Sequence, residues 1–201
     1  NGNVIFMAWE ARSGTDSIQA GRNPTSMLTN ELWSEFLVEI KPTGATTGDI
    51  VWEWHAWDHL VQDFDNTKAN FATVADHPEL IDINFDTAFG DADWIHFNGI
   101  AYNPTLDQLA ISIRQYSEFW ILDHSTTTAQ AATHVGGARG KGGDLLYRWG
   151  NPRTYRRGGL PDQVLEFQHD VHWIAPGLPG ADNFLMFNNG GAATNYSRVD
   201  E

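Results

Sequence analysis

The stretch DWIHFNGIAYNPTLDQLAISIR, residues 93–114, contains two apolar runs that are separated by a turn signal. The signal is the polar, proline-containing segment at residues 103–107, which favours a reversal of the chain. The second run, residues 108–114, alternates large apolar side chains with small or polar ones, the period of a strand with two unlike faces. The stretch therefore predicts an antiparallel hairpin that brings His96 and Arg114 to the same edge of a sheet.

The charge of the chain restricts its partners. The net charge is −14, from 26 acidic and 12 basic residues, which argues against nucleic-acid binding and against an anionic membrane surface. An anionic substrate would need a local basic pocket within this negative field. A histidine and an arginine at one strand edge would supply such a pocket, although an ordinary hairpin could also carry them as surface residues.

The composition is that of a single globular domain, residues 1–201. Nine Trp and eleven Phe favour strands. The chain has no Cys, which excludes disulfides, thiolate metal sites and a cysteine nucleophile. No apolar run approaches the roughly 18 residues of a membrane span. A turn at residues 1–3 leads directly into a strand-like run, so we expect the chain to be part of a longer protein.

Strand-like segments recur along the whole chain, and short helices are compatible with only two segments, residues 30–36 and 67–74. Besides the hairpin, strands are predicted at residues 4–9, 37–40, 50–54, 119–123, 144–149, 171–174 and 183–187, with another beginning near residue 196. Residues 11–29 and 126–143 are predicted to be loops, and residues 61–91 a long excursion.

A weak repeat runs through these strands. GDIVWEW at residues 48–54 resembles GDLLYRW at 143–149, and His96 and His169 each open a unit. Radially repeated four-stranded sheets are characteristic of β-propellers, whereas a β-sandwich with coincidental similarities is the alternative. We predict an all-β fold, a β-propeller of which this chain covers about two to three blades. Because a closed propeller needs at least about four blades, another chain or segment is expected to complete it.

Three segments resemble ligand-binding motifs, but each lacks a residue that its motif requires. The glycine-rich segment 136–143 lacks the Ser or Thr that follows the lysine of a phosphate loop, and it precedes a strand. The segment 82–86 has the alternate oxygen ligands of a calcium loop, but Thr87 stands where that loop needs glycine. His55 and His59 lack the Glu of a metalloprotease motif. We therefore predict no metal and no cofactor.

Four basic residues form the candidate site: His59, His96, Arg114 and His169. Each lies at a predicted strand edge or just beyond one, and radial repetition would bring such edges together around a common axis. Three imidazoles and one guanidinium would bind a tetrahedral oxyanion. One imidazole could also act as a nucleophile or as a general acid or base.

Five motifs together resemble the arylsulfotransferase family, the PAPS-independent aryl-sulfate sulfotransferases, which are six-bladed propellers. The motifs are DWIHFN at 93–98, SIR at 112–114, YRWGNP at 147–152, QHD at 168–170 and FNNG at 187–190. Each motif is short, but their order and spacing extend the resemblance over nearly the whole chain, from about residue 2 to residue 199.

The resemblance implies a function and a role for each residue. By it, His169 accepts a sulfuryl group from a phenolic sulfate ester and passes it to a phenol. His96 and Arg114 would be the oxyanion-binding pair, and His59 the remaining histidine, with His55 as the rival. The resemblance further implies small-molecule partners and a periplasmic or secreted protein.

Two other functions fit the same predicted fold. A propeller can serve as a non-catalytic extracellular binding or assembly module. It can also be a quinoprotein-like oxidoreductase, since similar Gly-Asp and Trp repeats occur there. The sequence has no further cofactor-ligand pattern in support of the second possibility.

Overall fold

The computed structural model describes residues 2–27, 29–85, 92–191 and 195–201. Strands dominate these ranges, and their α-helices are short. The strands are β1 (Val4–Ser13), β2 (Glu31–Pro42), β3 (Gly48–His55), β4 (Leu60–Val61), β5 (Ile81–Asp82), β6 (Phe97–Asn103), β7 (Gln108–Ile113), β8 (Glu118–Asp123), β9 (Tyr147–Trp149), β10 (His169–Trp173), β11 (Phe184–Asn188) and β12 (Arg198–Asp200). The α-helices are α1 (Gly14–Gln19) and α2 (Thr128–Ala131), and 3-10 turns occupy Pro24–Ser26, Ala56–His59, Val74–Asp76, Pro152–Tyr155 and Leu160–Asp162. No helix in the described ranges is both long and apolar enough to cross a membrane.

Three antiparallel sheets follow one another in chain order. They are β1-β2-β3, the four-stranded β6-β7-β8-β9 and β10-β11-β12, each with neighbouring strands consecutive in the sequence. The predicted predominance of antiparallel β-structure is thus confirmed, although only the middle sheet has the four strands expected of each unit and the other two have three. A small departure is the two-residue parallel pair of β4 and β5, which lies in the excursion between the first two sheets.

The predicted hairpin is present as β6 and β7. The two strands pair from Phe97 opposite Ile113 to Asn103 opposite Gln108. The side chain of Asn103 accepts hydrogen bonds from two backbone N–H groups of the turn, at 3.0 and 3.1 Å, which is how asparagine stabilises a reversal. Hydrogen bonding continues one step beyond the strands, because the Arg114 N–H donates to the His96 carbonyl over 2.9 Å. His96 and Arg114 therefore leave the sheet at the same edge.

The middle sheet is covered on both faces. The residues that share a core with β2 and β3 are Leu109, Ile111, Ile113, Trp120 and Leu122. The residues that share a second core with β10 and β11 are Ala110, Phe119 and Ile121. The alternation read from the sequence is correct, but its smaller side chains are buried too, because the third sheet packs on that face. Burial of each large apolar side chain contributes about 1.5–3 kcal/mol.

Several predicted elements differ in type or extent. The helix that the sequence allows at residues 30–36 is instead part of β2, because β1 pairs with β2 along its whole length. A long antiparallel partner outweighs weak local helical preference. Residues 67–73 are not helical, and Val74 only begins a 3-10 turn; the segment lies beside Gln62, whose side chain accepts from two backbone N–H groups. Helix α1, in a predicted loop, begins after Ser13, whose hydroxyl caps it.

Candidate functional site

His96 stands at the edge of the middle sheet, immediately before β6. Its φ is +57°, a left-handed conformation that costs energy for a residue with a side chain and persists only where the surroundings hold it. The Nδ1 atom lies 2.5 Å from a carboxylate oxygen of Asp93, and Trp9 contacts the ring edge-on at 6.0 Å. Because the carboxylate accepts, Nδ1 is the donor, and Nε2 is the nitrogen left to contact a ligand.

His169 is the first residue of β10. Its Nδ1 lies 3.1 Å from the side-chain oxygen of Asn189, which follows the neighbouring strand β11. An amide oxygen only accepts, so Nδ1 carries the hydrogen. A neutral His169 therefore has its lone pair on Nε2, which is the nucleophilic form of that nitrogen.

The segment around His169 is bonded to the strands that carry His96 and Arg114. The Gln168 carbonyl accepts from the Asn98 side chain at 2.8 Å and from the Ser112 hydroxyl at 3.2 Å. The Gln168 amide nitrogen in turn donates to the Ser112 hydroxyl at 3.1 Å. These bonds fix the residue before His169 onto β6 and β7, and the sequence analysis did not identify this role of the glutamine in the QHD motif.

On the other side of His169, the backbones of β6 and β10 lie close together. A Cβ at Gly99 would lie 3.0 Å from the backbone nitrogen of Asp170 and 3.2 Å from its Cα. These contacts would be tighter than ordinary van der Waals contact, so glycine favours the close approach of β6 and β10. Asp170 has a φ of +57° and Phe167 one of +51°, so the chain is held in the left-handed region on both sides of the histidine.

Arg114 extends over the segment that leads to His169. Its guanidinium carbon lies 5.1 Å from the centre of the Phe167 ring, a cation–π distance. Its Nη1 donates to the side chain of Gln115 at 3.4 Å. The structure therefore brings together the chain segments of His96, Arg114 and His169.

A buried carboxyl group lies directly behind this edge. Glu35 of β2 is 2% exposed, and one of its oxygens accepts from the Phe97 N–H over 2.5 Å. Burial, with the charge of Asp93 nearby, raises the pKa of Glu35 to about 8. At neutral pH this side chain is therefore mostly protonated, and it adds little negative charge behind His96. The signal available in the sequence was an acidic residue directly before the apolar run at residues 36–38.

His59 and His55 have other contacts. Within the described residues, the hydrogen bonds of the His59 ring go to Asp144 and to the Ala131 carbonyl, both at 2.8 Å. His55 lies 3.3 Å from Glu10 and stacks on Phe36. These contacts do not include His96, Arg114 or His169, and the assignment of His59 to their site stays a prediction.

The segment 82–86, which resembles a calcium-binding loop, has an ordinary ion pair at its first residue, Asp82. Asp82 is 1% exposed and lies 3.1 Å from Arg156. Burial raises the pKa of Asp82 despite that neighbour. Asp86 and Thr87, on which the calcium pattern also depends, lie outside the described residues.

Comparison with known protein families gives one match. Residues 18–136 match the family described as Arylsulfotransferase (ASST), a range that includes His59, His96 and Arg114 and ends before His169. No match was found among curated proteins, and none among solved structures. The matched range is more than half of the 201 residues. It contains the motifs DWIHFN at 93–98 and SIR at 112–114, which lie at the sheet edge described above. The chain belongs to the arylsulfotransferase family.

Proposed function

We propose that the chain carries the sulfuryl-transfer site of an aryl-sulfate sulfotransferase, built from His169, His96 and Arg114. The observation that carries the proposal is the bonding of the Gln168 carbonyl to Asn98 and Ser112, since it holds the His169 segment against the strand ends of the other two residues. Family membership supports a phenolic sulfate ester as donor and a phenol as acceptor.

We infer in addition that the three sheets are consecutive blades of a propeller. Two features support this arrangement: the middle sheet packs on the sheet before it and on the sheet after it, and the first strands of the second and third sheets approach at Gly99 and Asp170. First strands line the axis of a propeller, where a substrate would enter. Another chain or segment would supply the remaining blades, and the family resemblance supports a periplasmic or secreted location.

The proposed reaction has two displacements at sulfur. In the first, the Nε2 lone pair of His169 attacks the sulfur of the donor, an N–S bond forms, and the S–O bond to the aryl group breaks with its electron pair leaving on the phenolate. In the second, the oxygen of the acceptor phenol attacks sulfur and the N–S electron pair returns to Nε2. The proton of the acceptor is passed to solvent, and the released phenolate takes one up.

Arg114 and His96 have an electrostatic role in both displacements. The sulfuryl oxygens carry spread negative charge in the transition state, and groups fixed in place beforehand stabilise it most effectively. The planar guanidinium of Arg114 can donate two parallel hydrogen bonds to such oxygens. Asp93 fixes the ring of His96 through Nδ1 and so directs Nε2 towards the ligand.

Mass spectrometry of the intermediate tests the function. The native protein is incubated with p-nitrophenyl sulfate and without acceptor or PAPS, and an acid-labile adduct of sulfuryl mass is expected on the peptide that contains His169. Addition of a phenol should discharge it. His172→Ala is the matched control, because it removes an exposed imidazole from the same peptide and should leave the adduct intact.

Two results would contradict the proposal. An adduct that persists in His169→Ala would mean a different nucleophile. No turnover with several aryl sulfates and phenols would favour a non-catalytic binding or assembly module.

A further inference from the structure

Three side chains outside the proposed sulfuryl-transfer site meet at one point. His59 ends the 3-10 turn after β3, His134 follows α2, and Asp144 precedes β9. One ligand atom from each, a ring nitrogen or a carboxylate oxygen, lies within 4.8 Å of the others. One oxygen of Asp144 is 2.8 Å from Nδ1 of His59 and 2.7 Å from Nδ1 of His134. Two imidazoles thus converge on a single carboxylate oxygen.

The hydrogen bonds of His59 leave room for a proton or a metal ion between His59 and Asp144. Its Nε2 faces the Ala131 carbonyl at 2.8 Å, and a carbonyl only accepts, so Nε2 carries a hydrogen. In a neutral ring the lone pair is then on Nδ1, where it faces the Asp144 carboxylate. Two lone pairs repel each other, and a second proton or a metal ion has to lie between them. The bond from Nε2 to a backbone carbonyl is the usual outer contact of a metal-binding histidine.

The surroundings hold His59 in this orientation. Its side chain is 0% exposed, and its ring stacks on Trp54 at 5.5 Å with an angle of 4° between the planes. A Cβ at Gly143 would lie 2.5 Å from Nε2, so glycine is needed where that loop passes the ring. The loops that carry His134 and Asp144 are joined by the bond from the Gly143 N–H to the Thr133 carbonyl, at 2.9 Å. The fold therefore holds the ring of His59 and the loops of His134 and Asp144 in their positions relative to one another.

We propose that His59, His134 and Asp144 bind a divalent transition-metal ion, with Zn²⁺ as the best match. Two imidazole nitrogens and one carboxylate oxygen are a common zinc ligand set, with bonds of about 2.0–2.2 Å. Three protein ligands leave an open coordination position. This proposal uses none of the three residues proposed for sulfuryl transfer, His169, His96 and Arg114. It replaces two sequence predictions, that the chain has no metal and that His59 belongs to the sulfuryl-transfer site.

One ligand of the proposed metal site borders a pocket. The side chain of His134 is 59% exposed and lines a cavity of about 400 Å³ together with Trp57, Asp58 and His77. Because His134 is exposed and His59 is buried, His134 is the ligand that can shift outward when the 2.7–2.8 Å contacts open to admit an ion. Water or an anionic group from the pocket would then complete the coordination.

Metal titration of the whole chain tests the site. After EDTA treatment and its removal, isothermal titration with Zn²⁺ is expected to give one ion per chain, and Co²⁺ to give the visible absorption of a low-symmetry site. Asp144→Asn and His134→Ala should each weaken Zn²⁺ binding by more than the roughly 10–100-fold that loss of an outer contact costs. His134→Ala changes an exposed residue and should fold, which keeps the test valid if His59→Ala does not.

A surface histidine provides the control. His172→Ala removes an exposed imidazole that has its own carboxylate neighbour, Asp170, and should leave Zn²⁺ affinity unchanged. The proposal is overturned if the unaltered chain binds no Zn²⁺, since a proton would then lie between His59 and Asp144. It is also overturned if Zn²⁺ binds equally tightly to Asp144→Asn and His134→Ala.

Discussion

Asn189 accepts a hydrogen bond from Nδ1 of His169 across the neighbouring strands β10 and β11. This bond determines which nitrogen of His169 carries the lone pair. It gives Asn189 a positioning role in the proposed reaction, although its side chain would not touch the sulfuryl group.

The first prediction concerns this bond. Asn189→Ala should lower the rate of adduct formation by up to about tenfold, since it removes a hydrogen bond worth about 0.5–1.5 kcal/mol. Asn189→Asp retains an acceptor and should retain more activity. Single-turnover rates with p-nitrophenyl sulfate, compared with thermal stability, measure the effect. Equal rates for all three proteins would remove the positioning role.

The second prediction concerns Arg114. Arg114→Ala should lower kcat by about 10²–10³-fold, or about 2.7–4 kcal/mol, if its charge stabilises the transition state as an oxyanion donor does. Arg114→Lys should rescue little, because a point charge replaces a planar donor. The measurement is steady-state kinetics at a fixed phenol concentration. Full activity of the lysine variant would show that only charge matters.

The third prediction concerns the contact between β6 and β10. Gly99→Ala should destabilise the protein by about 1–3 kcal/mol and reduce activity, because the added methyl group meets backbone atoms of Asp170 that cannot rotate away. Gly159→Ala is the control, since its Cβ would be in ordinary contact, with the nearest atom at 3.4 Å. Urea denaturation of both variants provides the comparison. A Gly99→Ala protein of unchanged stability would mean that the two strands can separate at no cost.

The fourth prediction concerns Glu35. Its folded-state pKa of about 8 lies above the ordinary value of 4.5, so between these pH values the folded protein keeps a proton that the unfolded chain releases. Glu35 therefore makes the free energy of unfolding fall as the pH rises from about 4.5 to about 8. Above about pH 8 its contribution no longer changes. Glu35→Gln removes that slope, and its stability relative to the unaltered protein should increase with pH across the window.

Unfolding free energies at about pH 5, 6.5 and 8 test this expectation, since they span the interval between the two pKa values. Glu31→Gln, at an exposed position of the same strand, controls for the loss of one carboxylate. Parallel pH profiles for Glu35→Gln and the unaltered protein would contradict the raised pKa.

The sequence alone determined the class of fold and the hairpin. Alternating side chains and a turn signal predicted β6 and β7, and with them the shared edge of His96 and Arg114, because both signals are local. The motif pattern also led to the family. The sequence did not predict the strand at residues 31–36. That strand depends on pairing with β1, and such pairing produces no pattern in the local sequence.

Only the tertiary structure decided the neighbours of each candidate residue. Three features link residues that are apart in the sequence: the bond between His169 and Asn189, the burial that raises the pKa of Glu35 behind His96, and the meeting of His59 with His134 and Asp144. Spacing along the chain does not encode such contacts, since the packing of whole sheets and loops produces them. The sequence determines which chemical groups the chain contains. The packing of the sheets determines which of these groups lie close enough to act together.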